Sequence, residues 1–356
     1  MSCPIAPSAY VDNVYGPLAN LPTINWSRLL QHSGAEISAL RSACETHGFF
    51  YLDLTDEGSA IFLEELAAVN KIMEEWFCQP LEKKMETETI GDAHGFKPTG
   101  VQSGVAEHTK DGFEALKVRP LYPLPSHAPI NSSALQICRN NLVKRSHLPP
   151  IVDTKMALFD SFVSTSNHIA KSLLSFLSSA LGLEGPHHLT RYHNDDVPSK
   201  TTLYFLHYPE NLHATETGQN MHTDIGSITL LFAPQWGLQV ICPDTKTWKY
   251  VAPRPGHAII NVADTLRFLS GRRLRSALHR VMPLGGRQVG DRYATSYFLR
   301  ADDDTVFLDS EGEVGTAEQW LKRKYETYKL PHELQSAQTV LTGGMAQLLS
   351  QAQMLN

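Results

Sequence analysis

Nowhere in this chain do about 18 apolar residues follow one another, so the sequence offers no segment that would cross a bilayer as a helix. Basic residues are not in excess either. The 31 Lys and Arg are outnumbered by 37 Asp and Glu, for a formal net charge of -6. A phosphate-neutralising patch of the kind nucleic acid requires is therefore not evident. Cysteine is scarce, and Cys3, Cys44, Cys78, Cys138 and Cys242 are odd in number and contain no CxxC pair. That pattern fits scattered reduced thiols better than a disulfide framework. Residues 1–20 lack the basic stretch and apolar run of a signal peptide. Internal repeats and low-complexity tracts are also missing. These absences lead to the expectation of a cytoplasmic protein with neither nucleic acid nor membrane involved; nothing in the sequence bears on its oligomeric state.

What remains is an ordinary globular composition, 42% hydrophobic and 19% charged over 356 residues, enough to bury a large core. Three regions follow from the pattern. In 1–120, Ser33-Gly34-Ala35-Glu36 has the spacing of a helix capping box. Ile37, Leu40 and Cys44 then form an apolar stripe, and His47-Gly48 closes the helix before the strand Phe49-Phe50-Tyr51-Leu52. A second helix is expected over 60–76 and a short polar one after Pro80. The segment 91–117, rich in Gly, Lys and Thr with weak periodicity, reads as a long loop or candidate lid.

The second region, 121–330, opens with the strongest helical signal, an apolar face running through 152–183. Short apolar runs then follow at 201–208, 228–232, 238–242, 248–251, 258–262, 279–282 and 293–299, broken by Pro, Gly, Asn and Asp. Many short strands in succession imply a sandwich or barrel. Helix returns after Glu318 with Trp320, Leu321, Tyr325 and Tyr328 on its apolar side, and 331–356 is expected as a helical tail.

Chemistry concentrates at two points. His222-Thr223-Asp224 places an imidazole and a carboxylate two residues apart, on the same face of a strand. His279 begins another strand 55 positions beyond Asp224. Two histidines and one carboxylate on one side of an ion leave open positions, the arrangement of non-haem Fe(II) oxygenases. A second His-x-Asp, His193-Asn194-Asp195, precedes Pro198 and has no third partner, so it reads as a solvated loop.

Around this constellation stand Tyr208-Pro209, Ile228-Thr229-Leu230-Leu231, Gly237-Leu238-Gln239-Val240, Trp248, Pro255-Gly256, Asn261-Val262-Ala263-Asp264, Ser270-Gly271, His279-Arg280-Val281 and Arg292, with Pro22-Thr23-Ile24-Asn25 and His47-Gly48-Phe49-Phe50 upstream. In order and spacing these residues, over roughly 22–328, closely resemble the Fe(II)/2-oxoglutarate-dependent dioxygenases of the isopenicillin N synthase-like superfamily. The resemblance implies a mainly β fold with flanking helices and a double-stranded β-helix (jelly-roll) core. It also implies Fe(II) held by His222, Asp224 and His279, with 2-oxoglutarate and O2 as cosubstrates. Arg292 is implied to pair with the distal carboxylate of 2-oxoglutarate, a role that suits a planar guanidinium, and Tyr208 matches a tyrosine that assists there. The implied reaction is hydroxylation, desaturation or cyclisation of a small organic substrate such as a secondary metabolite.

The chain departs from the pattern where Arg-x-Ser is usual: Arg292-Tyr293-Ala294 lacks the hydroxyl, and Ser296 lies about 7 Å further along a strand. Asn25 and Ala263 replace a usual Asp and Gly, and both read as structural. Ala294 leaves open an oxidase of the same superfamily that does not use 2-oxoglutarate. A non-catalytic receptor on the same fold is a further alternative, although all three metal-binding residues are present, and a zinc hydrolase would give Arg292 no purpose. His207, His213 and His257 are expected to be structural, the Arg272-Arg273-Leu274-Arg275 run to be solvated, and Phe113, Tyr204, Phe232 and Phe298 to fill the barrel.

Overall fold

The computed structural model describes residues 6–87, 95–118, 149–211 and 218–348. The strands are β1 (Thr23–Asn25), β2 (Phe49–Asp53), β3 (Gly95–Lys97), β4 (Glu114–Val118), β5 (Thr202–Tyr208), β6 (Gln219–His222), β7 (Ile228–Phe232), β8 (Leu238–Ile241), β9 (Trp248–Tyr250), β10 (His257–Val262), β11 (His279–Val281), β12 (Arg292–Leu299), β13 (Val306–Leu308) and β14 (Val314–Thr316). One sheet has the order β1-β2-β10-β7-β12-β5-β4-β3 and is antiparallel except where β1 meets β2; a second, β6-β11-β8-β9, is antiparallel throughout. Together they form the jelly-roll core, and β13 and β14 make a separate hairpin.

Side-chain alternation decides what each face of the large sheet does. Leu203 and Phe205 on β5, Ile228, Leu230 and Phe232 on β7, Ile260 and Val262 on β10, and Tyr297 and Leu299 on β12 all join the core beneath the helices. Their neighbours Tyr204, Leu206, Tyr208, Thr229, Leu231, Asn261, Arg292, Ala294, Ser296 and Phe298 line a cavity on the opposite face. The helical side is covered by Ala60–Phe77 and by the 26-residue Met156–Leu181, which ends at left-handed Gly182. Phe62 and Phe162 stack at 5.0 Å, with Phe232 edge-on to Phe62, so the two helices and β7 share one aromatic cluster. Burying such rings is worth roughly 1.5–3 kcal/mol apiece, which is why the long helix settles over these strands.

The capping pattern at Ser33 is present in altered form. Its hydroxyl accepts from the Glu36 amide, but the Glu36 carboxylate reaches Asn25 N at 2.6 Å and so ties the helix to β1. Asn25 caps the Trp26–Leu30 helix and donates to Asp53, a structural role as expected.

The structure differs from the sequence reading over 95–117, the described part of the expected loop, where β3 and β4 extend the large sheet and loop remains between them. Charged residues disguised these strands. Glu114 on β4 is buried against Lys84 (2.6 Å) and His207 (2.8 Å), while Lys97 on β3 pairs with Asp111. The His193 motif also departs from its solvated reading. Asp195 is exposed and bonded to Lys171, but His193 is 3% exposed; its Nδ1 donates to Leu189 O and its Nε2 accepts from Ser227 Oγ at 2.7 Å. Arg272 and Arg273 are exposed, as the charge run suggested, yet each donates to a carbonyl of another element, Asp309 O and Leu181 O. His213 lies outside the described residues; His257 is 3.8 Å from Asp53.

Candidate metal and cosubstrate site

β6 and β11 are paired so that His222 and His279 face each other directly, and a register shift follows immediately at Val281. Their rings are 4.2 Å apart. The chain leaves β6 after His222, and the two-residue offset brings Asp224 to the same side: its Oδ1 is 3.7 Å from His222 Nε2 and 3.6 Å from His279 Nε2. All three are buried, with their ligand-capable atoms within 4.8 Å of one another. The other ring nitrogens are committed, His222 Nδ1 donating to Asn220 O at 2.7 Å and His279 Nδ1 to Ala277 O at 3.2 Å. Each imidazole thus presents Nε2 to the common point, the tautomer control typical of metal-binding histidines. Asp224 Oδ2 accepts from Thr229 Oγ1 (2.7 Å) and Asn261 Nδ2 (2.5 Å), leaving Oδ1 for the shared position.

The electrostatics favour ligation. Burial, reinforced by His279, pushes His222 down to about 3, against the pull of Asp224. Burial alone would raise Asp224, but His279, His222, Thr229 and Asn261 together hold it below the usual carboxylate range. At neutral pH His222 is a neutral imidazole and Asp224 an anion, the protonation a divalent metal needs. The donor set therefore fits Fe(II).

Thr223, between the two motif residues, points the other way into a buried ion pair. Lys324 Nζ donates to Thr223 Oγ1 at 2.7 Å and to Asp264, which also accepts from Thr223 at 2.9 Å; Lys324 and Asp264 are both fully buried. Asp264 N donates to Asp224 O. Behind the motif, the Ala317–Lys329 helix also presents the Tyr328 ring edge-on to His222 at 5.6 Å. Asp264 stands in the family pattern quoted above without a role of its own, and Lys324 is not marked by it at all. A lysine within the Trp320, Leu321, Tyr325, Tyr328 stripe was the available signal, because a charge on an apolar helix face needs a buried partner.

Arg292 is 2% exposed and pairs in register with Tyr208 of β5. Its Nε donates to Trp236 O at 2.9 Å, its guanidinium lies 4.7 Å from the Tyr208 ring, and its buried Nη1 has no partner. Gly237 permits the approach: at φ +136 a Cβ there would sit 2.9 Å from Arg292 Nε. The Tyr208 hydroxyl donates to Gln219 Oε1 at 3.3 Å. A buried guanidinium with an unsatisfied donor is costly unless a ligand completes it, and a carboxylate matches it in charge and shape. The cavity that contains Arg292 and all three metal-binding candidates holds about 820 Å³, counting its open mouth. Tyr204 and Phe298, expected to fill the barrel, line this cavity instead because their even-numbered positions face inward; Phe113 and Phe232 are packing residues as expected.

Residues 191–301 match the 2OG-Fe(II) oxygenase superfamily, and 21–137 match the non-haem dioxygenase in morphine synthesis N-terminal family. A 2-oxoglutarate-dependent dioxygenase of Gibberella zeae is 48% identical over 93% of this chain and 94% of its own length. The chain belongs to the 2-oxoglutarate Fe(II) oxygenases. A Penicillium aethiopicum oxidoreductase is 39% identical over 97% of this oxygenase and 80% of its own length. In fold it is similar to a full-length Neurospora crassa protein solved in complex with alpha-KG, with a TM-score of 0.65, 20% identity and coverage of 86% of this chain and 96% of that one. The protein is thus a 2-oxoglutarate-dependent dioxygenase using Fe(II) and O2, and the alternatives left open by Ala294 are not the ones its relatives represent. Among the described residues no helix is long and apolar enough to cross a membrane.

Proposed function

We propose that His222, Asp224 and His279 hold the Fe(II), and that Arg292, with Tyr208 against its guanidinium, holds the distal carboxylate of 2-oxoglutarate. When bound, iron, 2-oxoglutarate and O2 supply a two-electron oxidation of a substrate C–H bond, with 2-oxoglutarate leaving as succinate and CO2. The protein's part is placement. Thr229 and Asn261 fix which oxygen Asp224 offers, Asn220 O and Ala277 O fix which nitrogen each histidine offers, and Arg292 sets the direction of the cosubstrate. The single observation that carries the reading is the partnerless Arg292 Nη1, buried in the cavity that the metal-binding candidates line.

Ala294 removes one hydroxyl from this carboxylate site, and Ser296 faces the same cavity two residues on. The substrate is a small organic molecule that fits a wall of Tyr204, Phe298, Tyr325 and Tyr328, and hydroxylation is the default outcome. The loop between β3 and β4 contributes Gln102 to the cavity and serves as its lid. Free Cys44, Cys78 and Cys242 suit a cytoplasmic location.

The test is anaerobic titration of the Fe(II) protein with 2-oxoglutarate, following the visible charge-transfer band of the chelate. The band is expected in the wild type, absent in His279→Ala and reached only at higher 2-oxoglutarate in Arg292→Gln. Full iron binding by His279→Ala, or an Arg292→Gln titration identical to wild type, overturns the corresponding assignment.

A further inference from the structure

Arg300 repeats at the other end of the cavity what Arg292 does at the first. The two share one face of β12 and its continuation, as the even-numbered cavity residues 292, 294, 296 and 298 show, and Arg300 also lines the cavity. Height along the strand can be read from pairing. Phe298 is in register with Thr229, and Thr229 holds Asp224, so the metal-binding group sits near the level of Phe298. Arg292 lies six residues to one side along the strand and Arg300 two to the other, and the Arg292 guanidinium still comes close to the metal-binding group: it lies against Tyr208, whose hydroxyl donates to Gln219, and Gln219 Nε2 is 3.5 Å from His222 Nε2. A cosubstrate reaching from Arg292 to the metal leaves the Arg300 end for the substrate.

The side chain is built to receive something. Arg300 is 5% exposed, its Nη1 is tied to Lys200 O, and its backbone N donates to Thr201 Oγ1 at 3.1 Å. Its stem is wedged against Gly226, where a Cβ would come within 2.7 Å of Arg300 Cγ. The guanidinium stands 5.3 Å from the Phe298 ring, and Nε is buried with no partner. Among the described residues no carboxylate lies within ion-pair distance of it, and Asp224 is the one acidic side chain in the cavity wall. A fixed, dry guanidinium with an unpartnered donor and no carboxylate paired to it favours an anion of planar geometry.

We propose that Arg300 docks a carboxylate of the substrate, so that the oxygenase acts on organic acids. Arg300 is then a binding residue that sets which carbon of the acid faces the metal. The proposal rests on the assignment of Arg292 to 2-oxoglutarate.

The experiment uses the anaerobic Fe(II) enzyme saturated with 2-oxoglutarate, so that the Arg292 site is filled. Binding is measured calorimetrically for a panel of α-amino acids, aliphatic dicarboxylates and arylacetates, each beside its primary amide. Acids of at least one class are expected to bind and their amides not. Arg300→Met, which keeps the stem, should weaken that binding by roughly 10- to 100-fold, and Arg300→Lys should recover part of it. No acid binding to wild type, equal binding of acids and amides, or unchanged binding in Arg300→Met overturns the proposal. The chelate band read on the same samples separates the two arginines. Its loss in Arg300→Met together with its retention in Arg292→Gln reverses their roles and overturns both assignments, whereas altered acid binding with the band present leaves the Arg292 reading intact.

Discussion

Asp224 and Lys324 are both buried charges, and each is stabilised by partners contributed from elsewhere in the chain. For Asp224 these are Thr229 and Asn261. Removing the amide in Asn261→Ala leaves the carboxylate free to turn and is expected to lower Fe(II) affinity by roughly 10- to 100-fold, the usual effect of losing a partner of a metal ligand; competition with a calibrated chelator measures it. Lys324 and Asp264 are fully buried, so Lys324→Met abandons an uncompensated Asp264 behind the metal motif. The expected cost is about 3–5 kcal/mol by denaturant unfolding of the metal-free protein. The double variant Lys324→Met/Asp264→Leu should lose much less, because no unpaired charge remains; an additive double variant refutes the account. At this scale the sequence is uneven as a guide. His222, Asp224, His279 and Arg292, the residues proposed for the site, stand out because their residue types and order suit that chemistry, and the fold brings all four to one cavity. Lys324 does not stand out, because its partner lies 60 positions away and nothing local marks it as buried.

Secondary elements were legible wherever apolar periodicity and turn residues agreed. β5, β7, β8, β9, β10, β11 and β12 fall within a residue or two of the expected runs, as does the Ala60–Phe77 helix, whereas the long helix starts four residues later than expected, at Met156, because Pro150–Asp153 forms a short helix of its own. β3 and β4 were hidden because their charges are neutralised across the fold by Lys84, Asp111 and His207, and β6 because Gln219, Asn220 and Met221 have no strand signature. The Ala317–Lys329 helix links element to site. It begins with a full capping box from Thr316 and Gln319 and carries Lys324, Tyr325 and Tyr328. Thr316→Ala should lower stability by about 1 kcal/mol, whereas Leu173→Ala in the long helix, completely buried, should cost about 2–5 kcal/mol. Both are read from urea midpoints. A larger loss from the cap than from the core would contradict the packing described.

For the whole molecule, stability is linked to protons and ligands. His193 is buried between Leu189 O and Ser227, and its pKa is lowered by burial to about 4 from an ordinary 6.5. The unfolded chain therefore binds the extra proton first. Stability is full above pH 6.5, declines as pH falls toward 4, and takes no further loss from this group below that. The total is roughly 3 kcal/mol. His193→Gln should flatten the difference between unfolding free energies at about pH 7 and about pH 5; an unchanged pH dependence counts against the buried neutral imidazole. Ligands act in the opposite direction: Fe(II) with 2-oxoglutarate at about 100 times the dissociation constant should stabilise the fold by about 2.7 kcal/mol, and a chelator should reverse the gain in a thermal scan.

The sequence alone determined the alternation of strands, the long covering helix, the residue types able to bind a metal and the arginine suited to a carboxylate, since each depends on local periodicity or intrinsic side-chain chemistry. Tertiary structure decided which even-numbered positions share one cavity, that Arg292 and Arg300 flank the level of Asp224, that charged β3 and β4 complete the large sheet, and that His193 is dry. Those outcomes depend on pairings between distant segments, and burial of a polar group becomes tolerable only when its partner arrives from elsewhere in the fold.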